Sequence, residues 1–491
     1  MRPRLCCVGG GGSVDSPSMD TNEFRRHAHA LVDWIADYRE GIARLPVMSR
    51  SEPGAIRALF PAAPPVDGGR AGEVLSSLDR LLPGITHWNH PAFFAYFPSN
   101  TSLASVLGDL ACAGLGAQGM SWQTSPAATE VEEVVVGWIR QMIGLSPAFT
   151  GVVQDSASTS SLTALLCARE RASRFAQNGK GMQGGAAPLT VYASDQSHSS
   201  IEKGALLAGF GKEHLRLLPT DEKHALRLDL LERAMEEDVG RGMRPCAVVA
   251  ATGTTSTTAL DPVAGMAALA GRHGAWLHVD AALAGTAMVL PECRWMWEGV
   301  ERADSVVFNP HKWMGIGFDF SAYYVRDPEH LVRVMSTNPT YLRTAHDGRV
   351  TNFRDWGIPL GRRFRALKAW FHLADEGVAA MQSRIRRDLE NARWLAEQVD
   401  GTAGWERLAP VPLQTVCLRH LASGERDEAR LASHNLSIAA RVNASGRAYV
   451  TPSLLKGKEM IRVSIGATGT ERRDVQEVWR ALRDAAEGVH G

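Results

Sequence analysis

The chain has no excess of charge of either sign: 53 Lys plus Arg are matched by 53 Asp plus Glu over 491 residues. That balance draws it neither to nucleic acid nor to an anionic membrane surface, so its expected partners are small molecules or a second copy of itself. Cysteine is scarce, with seven residues at positions 6, 7, 112, 167, 246, 293 and 417. Such scattered positions suit neither a disulfide framework nor a paired metal site, and a reducing cytoplasm is the expected compartment. No apolar run reaches the roughly 18 to 20 residues that a membrane helix needs. The opening MRPRLCCVGGGGSVDSPSM lacks the apolar stretch of a signal peptide. It reads as a disordered tail, with Met19 as a candidate true start. Internal repeats are missing, and low complexity is confined to the N-terminal glycine run. What is left is the profile of a metabolic enzyme, too long for one core and expected to hold two or three domains.

Asp20, Thr21 or Asn22 can cap a helix in which Phe24, His27, Leu31, Trp34, Ile35 and Tyr38 recur at helical spacing. His27 and His29 are two apart on it, face different directions and make no metal site. Further on, four short apolar runs end in polar or turn residues: LTVYASDQSH, CAVVAATGTTS, AWLHVDAALAG and DSVVFNPHKW. Helical stretches such as LLERAMEED and VAGMAALAGRHG fall between them, which predicts an α/β fold with a mostly parallel sheet. Ligands bind such sheets beyond the carboxyl ends of the strands, where these polar residues lie. After about residue 370 a long helical run, IRRDLENARWLAEQV, and short strands around LQTVCLRHL and MIRVSIG predict a smaller C-terminal α+β domain.

Lys312 follows one of those runs, inside Asn309-Pro310-His311-Lys312-Trp313. It reads either as a solvated lysine or, flanked by Phe308, Trp313 and Met314, as an amine desolvated enough for Schiff-base chemistry. Asp280 ends the strand before it. It is a capping aspartate or, given a pyridine cofactor, the carboxylate that keeps the ring nitrogen protonated. The small residues from Gln154 to Ser160 lead into LTALLCARERA, a helix start able to bind phosphate or simply to be capped by serine. Gly253-Thr254-Thr255-Ser256 carries the same two readings. His198 follows a strand and is either structural or a ring lying flat on a planar cofactor.

Together these segments resemble the group II pyridoxal-phosphate decarboxylases, and most closely the aromatic L-amino-acid decarboxylases. HWNHPAFFAYFPS, SWQTSPAATEVE, SDQSHSS, HVDAALAG, NPHKW and IPLGRRFRALK occur in family order and at family-like intervals. The resemblance, which runs from about Asn22 to the C-terminus, implies pyridoxal phosphate as cofactor, no metal, and a fold-type-I homodimer with active sites at the interface. With the tail read over 1–19, the expected division is an N-terminal helical and dimerisation segment over 20–103, a large cofactor-binding domain over 104–370 and a small domain over 371–491. The resemblance makes Lys312 the internal aldimine, Asp280 the partner of the pyridine nitrogen and His198 the stacking histidine. Ala157, Ser158, Asn309 and His311 match positions near the phosphate, Ala282 lies against the ring, and Thr255 stands beside the site. Tyr341 falls on a loop tyrosine that helps protonate the product carbon. That loop, about residues 335 to 351, reads as mobile from its Pro339 and Gly348 as well.

Around the substrate side chain the resemblance places Trp88, Tyr96, Phe97, Pro98, Ser99, Gln118, Met120 and Gly361. The chain departs here from animal enzymes, which carry apolar residues at the Gln118 and Met120 positions, the second of them aromatic, and threonine at Ser99. In plant relatives glycine at the Gly361 position goes with indole substrates and serine with phenolic ones, whereas animal enzymes with glycine take both. The implied activity is decarboxylation of an aromatic L-amino acid, of the tryptophan, tyrosine, dopa or phenylalanine class, to its amine. The rivals are an oxidative variant that yields the aldehyde and a non-catalytic cofactor-binding homologue. The resemblance ties the oxidative variant to loss of the loop tyrosine or the stacking histidine, and both are present.

Overall fold

The computed structural model describes residues 19–66, 68, 71–183, 187–337, 339–342 and 346–488, with only the backbone described at Gln183 and Tyr341. The chain parts into two compact units between His87 and Trp88. In the first, Asp20 caps the helix Thr21–Gly41 by accepting from the amides of Asn22 and Glu23, and Glu23 completes a capping box. Of the three candidate caps, the aspartate is the one used. None of this helix's residues is buried, and Phe24 is 55% exposed.

The second unit is built on a seven-stranded sheet. Its strands are β1 (Thr150–Gln154), β2 (Leu189–Ser194), β3 (Leu215–Leu218), β4 (Arg244–Ala251), β5 (Trp276–Asp280), β6 (Ser305–Phe308) and β7 (Ser321–Val325), in the order β1-β7-β6-β5-β4-β2-β3. The four expected strands are therefore neighbours, β6-β5-β4-β2, and they run parallel. β7 runs antiparallel to β1 and β6, so the sheet is mostly parallel.

The near-continuous apolar strands follow from burial on both faces. Successive side chains of a strand point to opposite faces. Val248 and Ala250 accordingly join one core, with Val263 and Met266 of the helix Val263–His273. Ala247 and Val249 join the other, with Ala164 and Leu165 of the helix Ala157–Ser173.

The helix Ala366–Asp400, interrupted at Gly377 by a φ of 68° that disfavours a side chain, leads into a four-stranded antiparallel sheet. Its strands are β8 (Trp405–Arg407), β9 (Thr415–His420), β10 (Thr451–Leu455) and β11 (Lys458–Ser464), in the order β10-β11-β9-β8. The architecture is the expected one: a mostly parallel central sheet, an N-terminal helix and a small C-terminal α+β region. Among the described residues no helix is long and apolar enough to cross a membrane.

Candidate functional site

The carboxyl ends of β4, β5 and β6, the turn after β2 and the start of the helix Ala157–Ser173 meet around a cavity of about 210 Å³. Phe97, Ala157, Ser158, His198, Thr255, Asp280, Ala282, Asn309 and Lys312 all line it. A larger cavity of about 1020 Å³, lined by residues such as Trp122, Arg333 and Arg354, contains none of the expected site residues, so size alone does not mark the chemistry.

Lys312 sits on a backbone held from several sides. Its amide donates to the Asn309 carbonyl (2.9 Å), and its own carbonyl accepts from Asn100 Nδ2 (3.4 Å). The next residue, Trp313, donates its indole N–H to Asp388 (2.8 Å), while Arg384 donates to the carbonyls of Trp313 (2.9 Å) and Met314 (2.7 Å). The amine thus enters the cavity at a fixed point, with Nζ 5.2 Å from the centre of the Phe97 ring. Burial pushes the ammonium pKa down; Asp280 opposes that shift and Arg462 reinforces it.

Asp280 is buried, and its Oδ1 accepts the Ala282 amide at 3.0 Å. One oxygen therefore caps the following loop, while Oδ2 accepts no hydrogen bond from the described residues, so the capping role leaves one oxygen for a ligand. His198 caps the helix Ser199–Leu207: its Nδ1 accepts the Ser200 amide (3.2 Å) and bonds the Ser200 hydroxyl (2.8 Å). Those bonds orient the ring. Burial lowers its pKa, with Asp280 opposing and Lys312 adding to the shift.

Ala157 and Ser158 are the first two residues of a 17-residue helix whose cap is Ser156, bonded to the Thr159 amide at 3.3 Å. First-turn amides have no partner within their helix and carry its positive dipole end, so both readings of this segment hold together. In the same cavity wall Asn309 is buried, and its Oδ1 has no partner. An anion at the helix start, a protonated heteroaromatic nitrogen at Asp280 and a carbonyl carbon at Lys312 are what these donors and acceptors suit. The residues fit pyridoxal phosphate.

Gly253-Thr254-Thr255-Ser256 differs from its expected use, because no helix starts there before Val263. It is a turn closed on itself, in which the Ala259 amide donates to Thr254 Oγ1 (3.0 Å). His311 lies outside the cavity lining. Its Nδ1 accepts the Phe320 amide (2.9 Å), and burial together with Lys312 pushes its pKa down to about 3, which keeps it neutral.

The residues expected around the substrate divide into groups. Only Phe97 lines the Lys312 cavity. Trp88 and Tyr96 stack at 5.8 Å and stay partly exposed, Pro98 is buried, and Ser99 is part-buried. Gln118 Oε1 accepts the Arg362 amide (2.7 Å) beside Gly361, and the Met120 carbonyl accepts the Arg354 amide (2.8 Å). Gln118, Met120 and Gly361 do not line the Lys312 cavity. Tyr341 belongs to a short turn, Thr340–Leu342, and its side chain lies outside the described residues.

Sequence reasoning missed Asn100, Arg384, Asp388, Tyr449 and Arg462. Arg462 had a signal: a lone arginine within the apolar strand MIRVSIG. Tyr449, whose hydroxyl donates to that of Tyr96 (3.3 Å), had none. Among the described residues no three His, Cys, Asp or Glu side chains gather as a metal would require.

Residues 53–421 match the family model of the pyridoxal-dependent decarboxylase conserved domain. The chain is 39% identical to phenylacetaldehyde synthase of Arabidopsis thaliana, over 97% of this chain and 98% of that one. It is 38% identical to aromatic-L-amino-acid decarboxylase of Mus musculus, over 96% and 99%. The solved structure of Catharanthus roseus tryptophan decarboxylase in complex with L-tryptophan superposes with a TM-score of 0.88 at 34% identity, covering 96% of this chain and 99% of that one. With that fold, that cavity and that similarity along nearly its whole length, the chain belongs to the pyridoxal-dependent decarboxylases, as a group II carboxy-lyase of fold type I that takes pyridoxal phosphate and resembles the aromatic amino acid decarboxylases.

Proposed function

We propose that the chain decarboxylates an aromatic L-amino acid, of the tryptophan, tyrosine, dopa or phenylalanine class, to the arylalkylamine and carbon dioxide. The observation that carries this reading is the single cavity walled by Lys312, Asp280 and His198. When bound, pyridoxal phosphate supplies a cationic ring that takes up the electron pair left at Cα as carbon dioxide departs. The first-turn amides at Ala157 and Ser158 receive the phosphate. The desolvated amine of Lys312, buried in the cavity wall, would hold the cofactor through its carbonyl carbon. Asp280 would hold a proton on the ring nitrogen through the oxygen its Ala282 bond leaves open. His198, oriented through Nδ1 by Ser200, would face the cofactor ring and, with Tyr341, would supply the proton returned to the product carbon. Closure of the Tyr341 loop excludes water.

The oxidative reading, to an aldehyde, is favoured by one observation, the 39% identity to an aldehyde synthase. Against it stand His198 and Tyr341, both present. The non-catalytic reading is opposed by the intact set Lys312, Asp280, His198 and Tyr341.

The working unit in this proposal is a homodimer, with Gln118, Met120 and Gly361 of one copy serving the other's site. Two features support it. The helix Leu103–Leu115 leaves Leu103, Leu107 and Leu110 exposed by 51%, 50% and 44%, an apolar stripe at helical spacing. The helix Thr21–Gly41 buries none of its residues. Sedimentation at micromolar concentration should give about twice the chain mass; a monomer with full activity overturns the shared site. Feeding tryptophan, tyrosine, dopa and phenylalanine separately, and measuring amine, aldehyde, hydrogen peroxide and carbon dioxide, tests the activity. Stoichiometric amine and carbon dioxide without peroxide supports the proposal, and aldehyde with peroxide replaces it.

A further inference from the structure

Phe97 carries two cations. Lys312 Nζ and the Arg462 guanidinium carbon each lie 5.2 Å from the centre of its ring. Arg462 reaches the site from β11. It is 4% exposed, donates from Nε to the Ser256 carbonyl at 2.8 Å, and leaves its Nη2 buried without a partner. A guanidinium does not give up its proton in a protein, so this charge is permanent. Among the described residues no carboxylate pairs with it, and burial pushes the neighbouring Cys417 thiol up to about 11, which keeps it neutral. Around Lys312 the charged or titratable groups are Asp280 from β5, His198 from the turn after β2, His311 in its own segment and Arg462 from β11. The carboxylate of Asp280 acts on Lys312, while Arg462 adds a second buried cation, and of the two cations only the lysine is free to lose a proton.

We infer that Arg462 is a positioning residue for Lys312: a fixed cation, anchored on Ser256 and laid over Phe97, that keeps the lysine nitrogen unprotonated and hence able to bond the carbonyl carbon of the cofactor. The direction of the Lys312 shift, which Arg462 reinforces, agrees with this geometry. The role rests on the assignment of Lys312 made above, and it gives the turn Gly253-Thr254-Thr255-Ser256 a task that neither of its sequence readings contained. The turn presents the carbonyl that orients the arginine.

The test compares wild type, Arg462→Met and Arg462→Lys as full-length proteins loaded with pyridoxal phosphate. The readout is the pH midpoint of the cofactor's visible absorbance, followed from about pH 5 to 10. Removing the cation should raise the midpoint by about one pH unit, the scale of one nearby charge. Arg462→Lys should restore most of the wild-type value. Borohydride trapping followed by peptide mass spectrometry checks Lys312 separately: label elsewhere in the wild type defeats the assignment of the lysine, whatever the midpoints do. A wild-type midpoint in Arg462→Met, with a raised KM, overturns the inference and gives the guanidinium to the amino acid's carboxylate. A wild-type midpoint with only a lowered Tm overturns it in favour of a packing role. Should the methionine variant fail to fold, Arg462→Gln keeps a donor for Ser256 and reads the same midpoint.

Discussion

The walls of the Lys312 cavity and the group around Gln118 were both expected to serve one active site, yet one chain builds them very differently. Lys312, Asp280 and His198 stand at ends of neighbouring strands or just beyond them and are fixed by backbone bonds, and the charge of Asp280 opposes the burial shifts of both Lys312 and His198. Gln118, Met120 and Gly361 are tied to each other's surroundings through Arg362 and Arg354, and line no cavity with the lysine. On the proposed reading, the residues that hold the cofactor gather within one chain. On the same reading, the proposed dimer would bring Gln118, Met120 and Gly361 to the substrate ring. Substitutions in the first group should therefore act on chemistry and cofactor, and those in the second on substrate choice.

The largest effect is expected at Lys312. Lys312→Ala should lower turnover by a thousandfold or more, the scale on order of magnitude for removing a covalent participant, and abolish borohydride-stable attachment. Full turnover in that variant would erase the distinction between the two groups. Asp280→Ala should cost on the order of a hundredfold, because a neutral ring is a poorer electron sink, and Asp280→Glu should retain more. Equal, near-wild-type rates for both would leave Asp280 with only its Ala282 capping bond. Tyr341→Phe removes one hydroxyl. Amine formation should fall by roughly a hundredfold, within the range of a lost general acid, and oxygen uptake with aldehyde should appear. An unchanged product would return Tyr341 to the ordinary residues of its loop.

The sheet and most of the cavity were legible in the sequence because parallel strands buried on both faces are written as unbroken apolar runs, with polar residues marking their ends. The antiparallel β7 was not, since SAYYV carries no sign of its direction. The residues that hold Lys312 in place were hidden for another reason. Asn100 is 212 residues from Lys312, and Asp388 is 75 from Trp313. Only tertiary folding joins them, and asparagine or aspartate in a helix or loop looks ordinary alone. Arg462 was readable in principle, since a charge inside an apolar strand must be compensated or used. The expected place of Gln118, Met120 and Gly361 beside the substrate came only from family likeness, because their chemistry as isolated residues announces nothing, and they do not line the Lys312 cavity.

The smallest effect, and the finest test of the comparison, concerns Gly361. Glycine is required where a turn needs a left-handed backbone, but Gly361 is not among the positive-φ glycines, so an L residue fits its conformation. An added Cβ would meet the Gln118 side-chain nitrogen at 3.2 Å, the far end of a flexible side chain that can move. Gly361→Ser should therefore fold with little loss of Tm and act by shifting Gln118 and filling space. If the pair borders the aromatic ring of the substrate, kcat/KM should fall more for tryptophan than for tyrosine or dopa, by about 1 to 3 kcal/mol, the scale of a small steric change in a pocket. Lys312 attachment and the absorbance midpoint should stay as in wild type, since neither residue lines the Lys312 cavity of its own chain and their proposed role is toward the substrate ring. Gln118→Ala placed in the same background should recover part of the loss by vacating the contact. Parallel losses for both ring types, or a lowered Tm without a change in ring preference, would assign Gly361 to packing and leave the ring to be read by Phe97 and its neighbours.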